Sequence, residues 1–397
     1  MKCAKADMSD DPVVIVSAAR TPIGGFLGEL KSCSAPQLGS TAIRAAVERA
    51  ALVPEEVDQV IMGNVLPAGT KQAPARQAAL GAGLPPAAAC ATINKVCGSG
   101  MYAAMLAHDQ IALGRSAVVV AGGMESMSNA PYLLLKARGG LRLGHGNVND
   151  HMFLDGLEDA YEGRLMGTFA EDCAEHYRFS REAQDRYAIT SLTRARAAIA
   201  DGSFVREITP VVCGGNPVSR DEQPLQANID RIPQLKPAFR ADGTVTPANS
   251  SSISDGAAAM ALMTHSAARR RGLQPRARIV GFALHAQEPK WFTTAPVGAI
   301  RRLFDQTGWD VGSTDLFEIN EAFAVVTMAA MHELDIPHEK VNVHGGACAL
   351  GHPLGASGAR IMVTLVSALE KYGLQRGIAS LCIGGGEATA IALERIT

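Results

Sequence analysis

Nowhere in this chain does an apolar run reach the roughly 20 residues needed to span a bilayer, and nowhere do basic residues gather into a block. The first absence argues against a membrane protein. The second, with a formal net charge of −2, leaves no electrostatic reason to expect nucleic acid or an anionic membrane as partner. Cysteines are few and scattered: positions 3, 33, 90, 97, 173, 213, 348 and 382 lie far apart, and none forms a CxxC pair. Neither a disulfide scaffold nor a zinc knuckle is expected. The opening MKCAKADMSDDP lacks both the apolar stretch of a secretory signal and the Arg-rich, acid-poor character of a transit peptide. A cytoplasmic protein with reduced thiols, acting on small molecules, is the expectation.

What is present is bulk and duplication. The 397 residues, 47% of them hydrophobic, exceed one ordinary domain and can bury a large core. IRAAVERAALVPEEVDQVIMGN (43–64) resembles IRRLFDQTGWDVGSTDLFEIN (300–320), with starting points 257 positions apart. Each reads as a helix, a turn, an Asp and a short apolar strand ending in Asn. At nearly the same offset, CGSGMYAAMLAHDQIALGRSAVVVAGGMES (97–126) parallels GASGARIMVTLVSALEKYGLQRGIASLCIGGGEA (355–388). In both, a small-residue turn opens a helix, and a buried strand then runs into glycines. Two matches at one offset predict two similar α/β halves. The stretch between them, richer in Pro, Gly and Asn and holding the amphipathic run 167–202, reads as a loop domain over one face. The division expected is 1–127 with 254–275, an inserted 128–253, and 276–397.

Chemistry concentrates where the copies turn into helices. Cys97, in TINKVCGSGMYAAM, stands where unpaired backbone N–H groups favour negative charge, which predicts a depressed pKa and thiolate character. Its neighbours Gly98, Ser99 and Gly100 allow close approach. The competing reading, a buried packing cysteine, is open on local evidence alone. The second copy offers His352, between Gly and Pro in GHPLGASGAR, and Cys382, ending a strand before three glycines. Asn320 ends the strand of EINEAF, as a polar donor or as turn chemistry. The duplication should bring these four toward one centre.

The motifs VVIVSAARTPIGGF, NKVCGSG, AGGMESMSNAP, GTVTPANSSSISDGAAA, NEAFA, GHPLGASGAR and CIGGG, in order along essentially the whole chain, resemble the thiolase family on its acetyl-CoA acetyltransferase branch. The resemblance implies an α/β thiolase fold of five layers, α-β-α-β-α, from two βαβαβαββ halves plus the inserted loop domain, assembled as a homotetramer, a dimer of dimers. It implies reversible condensation of two acetyl-CoA into acetoacetyl-CoA and CoA, with no metal and no cofactor beyond coenzyme A as substrate and product. Cys97 would take the acetyl group as a thioester and His352 its proton, and Cys382 would remove the α-proton of the second acetyl-CoA. His352 and a water positioned by Asn320 would hold the enolate oxygen. The N–H groups of Cys97 and Gly384 would hold the other oxyanion. Ser251 matches a pantetheine contact, and Met166 and Phe323 match acyl-pocket residues, with core packing the alternative for both apolar ones.

Four places depart from the family pattern: Trp291–Phe292 where a Met-Gly pair is usual, Leu225 where an arginine commonly meets the CoA nucleotide, His344, and Glu387–Ala388 after the glycines. The first two bear on chain length and CoA anchoring, the others on the catalytic surroundings. A degradative 3-ketoacyl-CoA thiolase with longer substrates is the main competing reading. A non-catalytic lipid-carrier relative would typically lack catalytic residues that are all present here. A cysteine hydrolase would not need the second cysteine.

Overall fold

The computed structural model describes residues 11–212 and 214–396. Expectations for the first ten residues and for Cys213 lie outside the described residues.

The duplication is visible in the order of the strands within one ten-stranded sheet. Outward from the middle, the first half runs Val13–Arg20, Ser254–Thr264, Val118–Ser126, Gln59–Gly63 and Ala89–Ile93. The second half runs Ala277–Ala286, Glu387–Arg395, Arg376–Ile383 and Leu316–Ile319, and a lone parallel bridge from Phe317 to Val341 stands where a fifth strand would lie. The senses match as well: two antiparallel pairings, then parallel ones. The expectation of separate sheets needs one amendment. Val14 pairs with Arg278 and Ile15 with Ala277, so the halves share a single sheet folded back on itself.

Strands 13–20, 118–126 and 254–263 are buried throughout, which explains their runs of Val, Ala and Met without polar alternation: both faces are covered. The outer cover of the first half is the Ala35–Arg49 helix, which turns Leu38, Ala42, Ile43 and Ala46 inward. Ala295–Thr307 covers the second half with Ala299, Ile300 and Leu303. Between the two halves of the sheet lie Ser99–Ala112 and Leu354–Tyr372. Every residue from 354 to 369 is buried, because that helix meets strands of both halves. The two central helices cross where neither has a side chain. A Cβ on Gly100 would come 2.7 Å from the Ala359 nitrogen, and one on Gly358 would strike the Met101 nitrogen.

The chain leaves the sheet at Ser126 and returns at Ser254 on the adjacent strand. In between stand Met166–Tyr177 and Arg181–Ala200, the two helices of the amphipathic run. The expectation of reduced thiols fails at Cys33, which is disulfide-bonded, whereas Cys90, Cys97, Cys173, Cys348 and Cys382 are free. Bridging depends on Cα separation in space, which sequence spacing does not report.

Candidate active site

The parallel strands 59–63, 316–319 and 376–383 end on the side where both central helices begin, the usual location of ligand sites in α/β sheets. A cavity of about 350 Å³ opens there, and Cys97, His352, Cys382 and Gly384 line it. Ser251, Met166 and Phe323 line it too. Asn320 does not. It is fully buried behind His352, with Nδ2 3.5 Å from the imidazole Nδ1.

Cys97 is presented by a strained turn. Val96, a β-branched residue, has φ +46°, a conformation such residues avoid. Its N–H donates to Asn94 Oδ1 at 2.8 Å, and its carbonyl accepts from Ser99 Oγ at 2.6 Å, which together hold the turn. Gly98 must lack a Cβ because Ile383, next to Cys382, occupies the space. The expected depression of the Cys97 pKa is not found. Burial pushes the thiol up to about 11, although the N–H groups of Gly384 and of Cys97 itself face the sulfur and pull the other way, and the nearby Glu125 adds to the rise. Helix-end stabilisation is outweighed by burial, although Cys97 keeps part of its surface open to the cavity. Cys382 is raised well above the ordinary thiol range, first by burial and then by the proximity of Cys97.

The tautomer of His352 follows from its neighbours. Ser357 Oγ donates its single proton to the Pro353 carbonyl at 2.9 Å, so the 2.5 Å contact to His352 Nδ1 has Nδ1–H as donor, and the Asn320 NH₂ 3.5 Å from the same nitrogen is then not its hydrogen-bond partner. Nε2, which has no hydrogen-bond partner among the described residues, is therefore the acceptor. Burial, then the charge of Arg360, lowers this histidine to about 3, so it rests neutral.

Sequence reasoning overlooked three supporting groups. Ser357 is one, and its mate in the other copy is Ser99, which also accepts from Lys95 N at 2.8 Å. Asn64 follows strand 59–63 as Asn320 follows 316–319, and its Nδ2 donates to Glu125 Oε1 at 2.6 Å. Glu125 also accepts from the N–H groups of Val65, Leu66 and Gly355, tying strand ends of the first half to the helix that follows His352. Superimposing the repeats residue by residue would have flagged Ser99 with Ser357 and Asn64 with Asn320. Glu125 carried no such signal.

The departures separate. Phe292 lines the cavity, edge-on to Phe169 and Phe323 at 6.4 and 6.5 Å. Trp291 packs on His176 instead. Glu387 pairs with Lys95, two residues before Cys97. Leu225 is exposed on the short Gln223–Gln226 helix. His344 lies beside Tyr372, at the opposite end of the central helix, roughly 27 Å from Leu354 at 1.5 Å per residue. It therefore does not alter the catalytic surroundings. Among the described residues no group of three or more His, Cys, Asp or Glu is arranged to hold a metal, and no helix is long and apolar enough to cross a membrane.

Residues 13–266 match the family description "Thiolase, N-terminal domain" and residues 273–395 match "Thiolase, C-terminal domain". An Arabidopsis thaliana protein named acetyl-CoA acetyltransferase 2 is 51% identical over 96% of this chain and 96% of its own. The crystal structure of the Bacillus anthracis acetyl-CoA acetyltransferase superimposes with a TM-score of 0.95 at 43% identity, covering 97% of this chain and 99% of that one. A thiolase from Ascaris suum in complex with coenzyme A gives 0.93 at 42% identity, over 97% and 100%. Matched along nearly its whole length in sequence and in fold, this chain belongs to the thiolase family.

Proposed function

We propose that this chain is an acyltransferase that condenses two acetyl-CoA, reversibly, into acetoacetyl-CoA and CoA through a thioester on Cys97. The observation that carries the reading is the imidazole of His352, its Nδ1 proton committed to Ser357 and its Nε2 left to accept, in a cavity that holds two free thiols. The similar proteins named acetyl-CoA acetyltransferase support it.

Both thiols rest protonated, which orders the proton transfers. As Cys97 sulfur attacks the thioester carbonyl, its proton passes to His352 Nε2, since an isolated thiolate in this water-poor site would be costly. The oxyanion meets the N–H groups of Cys97 and Gly384, the two amides that face the sulfur. The departing CoA thiolate takes the Cys382 proton. Cys382, now a thiolate raised in basicity by burial, removes the α-proton of the second acetyl-CoA. His352, now protonated, and Asn320 stand on the enolate side. Carbon–carbon bond formation then expels Cys97, which recovers its proton from His352. Ser251, Met166 and Phe323 contact the pantetheine arm and the acyl group in this reading. Coenzyme A is substrate and product, with no further cofactor.

Acetyl-CoA alone is expected to leave about 42 Da on the Cys97 peptide of the quenched enzyme, the mass of acetyl replacing hydrogen. Acetylation found only elsewhere would remove Cys97 as nucleophile. The longer-chain degradative reading is weakened by Phe292, Phe323 and Met166 around the cavity. Thiolysis of 3-ketoacyl-CoA of increasing length should give its highest kcat/KM with acetoacetyl-CoA, and a maximum at a longer chain would favour the alternative.

The same reading includes the homotetramer, the division 1–127 with 254–275, 128–253 and 276–397, and a place in the fatty acid metabolism of the cytoplasm. Tyr132, Leu135 and Leu143 are 68%, 61% and 98% exposed on one segment, apolar surface that suits burial against another subunit. Light scattering that returned the monomer mass would exclude the tetramer. Five free thiols suit a reducing compartment and the disulfide of Cys33 argues against one, so cell fractionation is the test.

A further inference from the structure

Beneath the site lies a buried cation that the chemistry above leaves without a task. Arg360, on the central helix, is 2% exposed. Arginine is rarely buried unless it is well paired. Its neighbour Arg20 meets that condition, with Nε on Glu207 and both terminal nitrogens on Asp221. Arg360 does not. Its Nε and Nη1 have no hydrogen-bond partner among the described residues, and the nearest carboxylate oxygen, Glu318 Oε2, stands 3.7 Å from Nη1. The one hydrogen bond it makes runs from Nη2 to Oδ1 of Asn320, at 3.5 Å.

That bond has a direction. An amide side chain presents an acceptor at one end and a donor at the other, and packing scarcely distinguishes the two. A cation on one side does distinguish them, because it draws the oxygen and turns the NH₂ the opposite way, here toward His352. Rotated by half a turn, Asn320 would offer an acceptor to the Nδ1–H that Ser357 now holds. It would then present an oxygen, not N–H groups, on the side where enolate charge develops. Glu318 lies two residues before Asn320, near the end of strand 316–319, where its carboxyl stands 3.7 Å from Arg360.

We propose that Arg360, kept in place by Glu318, is a positioning residue for the carbanion half of the reaction, fixing the Asn320 amide with its NH₂ toward His352, the imidazole that lines the cavity on the enolate side in this reading. The proposal rests on the reaction assigned above and places Arg360 in contact with no substrate. The first half-reaction, acyl transfer to Cys97, uses other oxyanion donors, and Arg360 reaches it only through its charge on His352.

The test separates the halves. Arg360→Met enzyme should acetylate Cys97 from acetyl-CoA within about threefold of the parent rate, as followed by quenched mass spectrometry. Exchange of acetyl-CoA methyl protons with deuterated solvent should fall by about 10- to 100-fold, the lower range for a lost oxyanion donor. In an Asn320→Ala background the same substitution should change exchange by less than about twofold, since residues that act through one another are not additive. Full additivity of the two substitutions, or equal loss in both half-reactions, would overturn the proposal. So would parental exchange in Asn320→Ala alone, which would nonetheless leave the Cys97 assignment standing. Failure of parent enzyme to acetylate Cys97 would instead remove the underlying reaction. If Arg360→Met does not fold, as judged by circular dichroism, Arg360→Met/Glu318→Gln removes both charges together and is read by the same criteria.

Discussion

Cys382→Ser enzyme, given acetyl-CoA, is expected to acetylate Cys97 yet to lose condensation by roughly 10²- to 10⁴-fold, the span attributed to a general base. Two thiols share one cavity, and both are held above the ordinary range by burial, so acidity alone does not say which attacks. Geometry does. Each sulfur faces its own N–H, but only Cys97 has the Gly384 amide as well, and an acyl group on that sulfur places its carbonyl between two donors. A serine at 382 is far too weak an acid to give up its proton, so the anionic base that a carbon acid requires never forms there, while the leaving CoA thiolate can still take a proton from solvent. Methyl-proton exchange of acetyl-CoA should therefore collapse together with condensation, while acetylation persists. Cys97→Ala should form no acyl-enzyme at all. Rapid exchange in Cys382→Ser with acetylation absent would mean that the roles are reversed.

The second large effect falls on stability. Replacing Glu125 by Ala is expected to cost about 4 kcal/mol or more, because four buried N–H groups lose their acceptor and each unsatisfied donor costs about 1–3 kcal/mol. Its carboxyl accepts from four donors: Asn64 Nδ2 at 2.6 Å and the N–H groups of Val65, Leu66 and Gly355 at 2.9, 3.1 and 2.8 Å. Each oxygen serves two donors, so Gln is no isostere. Its NH₂ would face N–H groups, for a cost of about 2 kcal/mol. Urea denaturation of the three proteins measures both values, and an alanine variant within about 1 kcal/mol of the parent would refute the account. Activity should fall more steeply than stability at moderate temperature, because Gly355 opens the helix next to His352.

The sequence spoke most clearly where a residue type had one use. Two helix-and-strand patterns at one offset predicted equivalent halves, and the matching strand orders bear this out. The meeting of Cys97, His352 and Cys382 in one cavity was likewise legible from the turns that carry them, whereas Asn320, expected with them, lies behind His352. What could not be read was the effect of enclosure. A helix start argues for an acidic thiol, but whether solvent reaches it depends on strands and loops from distant parts of the chain, and here burial prevails. Glu125 was invisible for a related reason. A glutamate ending a strand has no special spacing, and its four partners come from residues 64–66 and from residue 355, far apart in the chain. The disulfide of Cys33 was hidden in the same way.

The burial of helix 354–372 on all sides has a consequence for the order of events during synthesis. The floor on which strands 118–126 and 254–264 rest is supplied by residues near the end of the chain. As translation proceeds, some 350 residues emerge before that support exists, so the first half waits with apolar surface uncovered, a condition that slows folding and invites aggregation. The nucleophile of the reaction is thus made early but cannot be seated until its proton acceptor and the helix beyond it have left the ribosome.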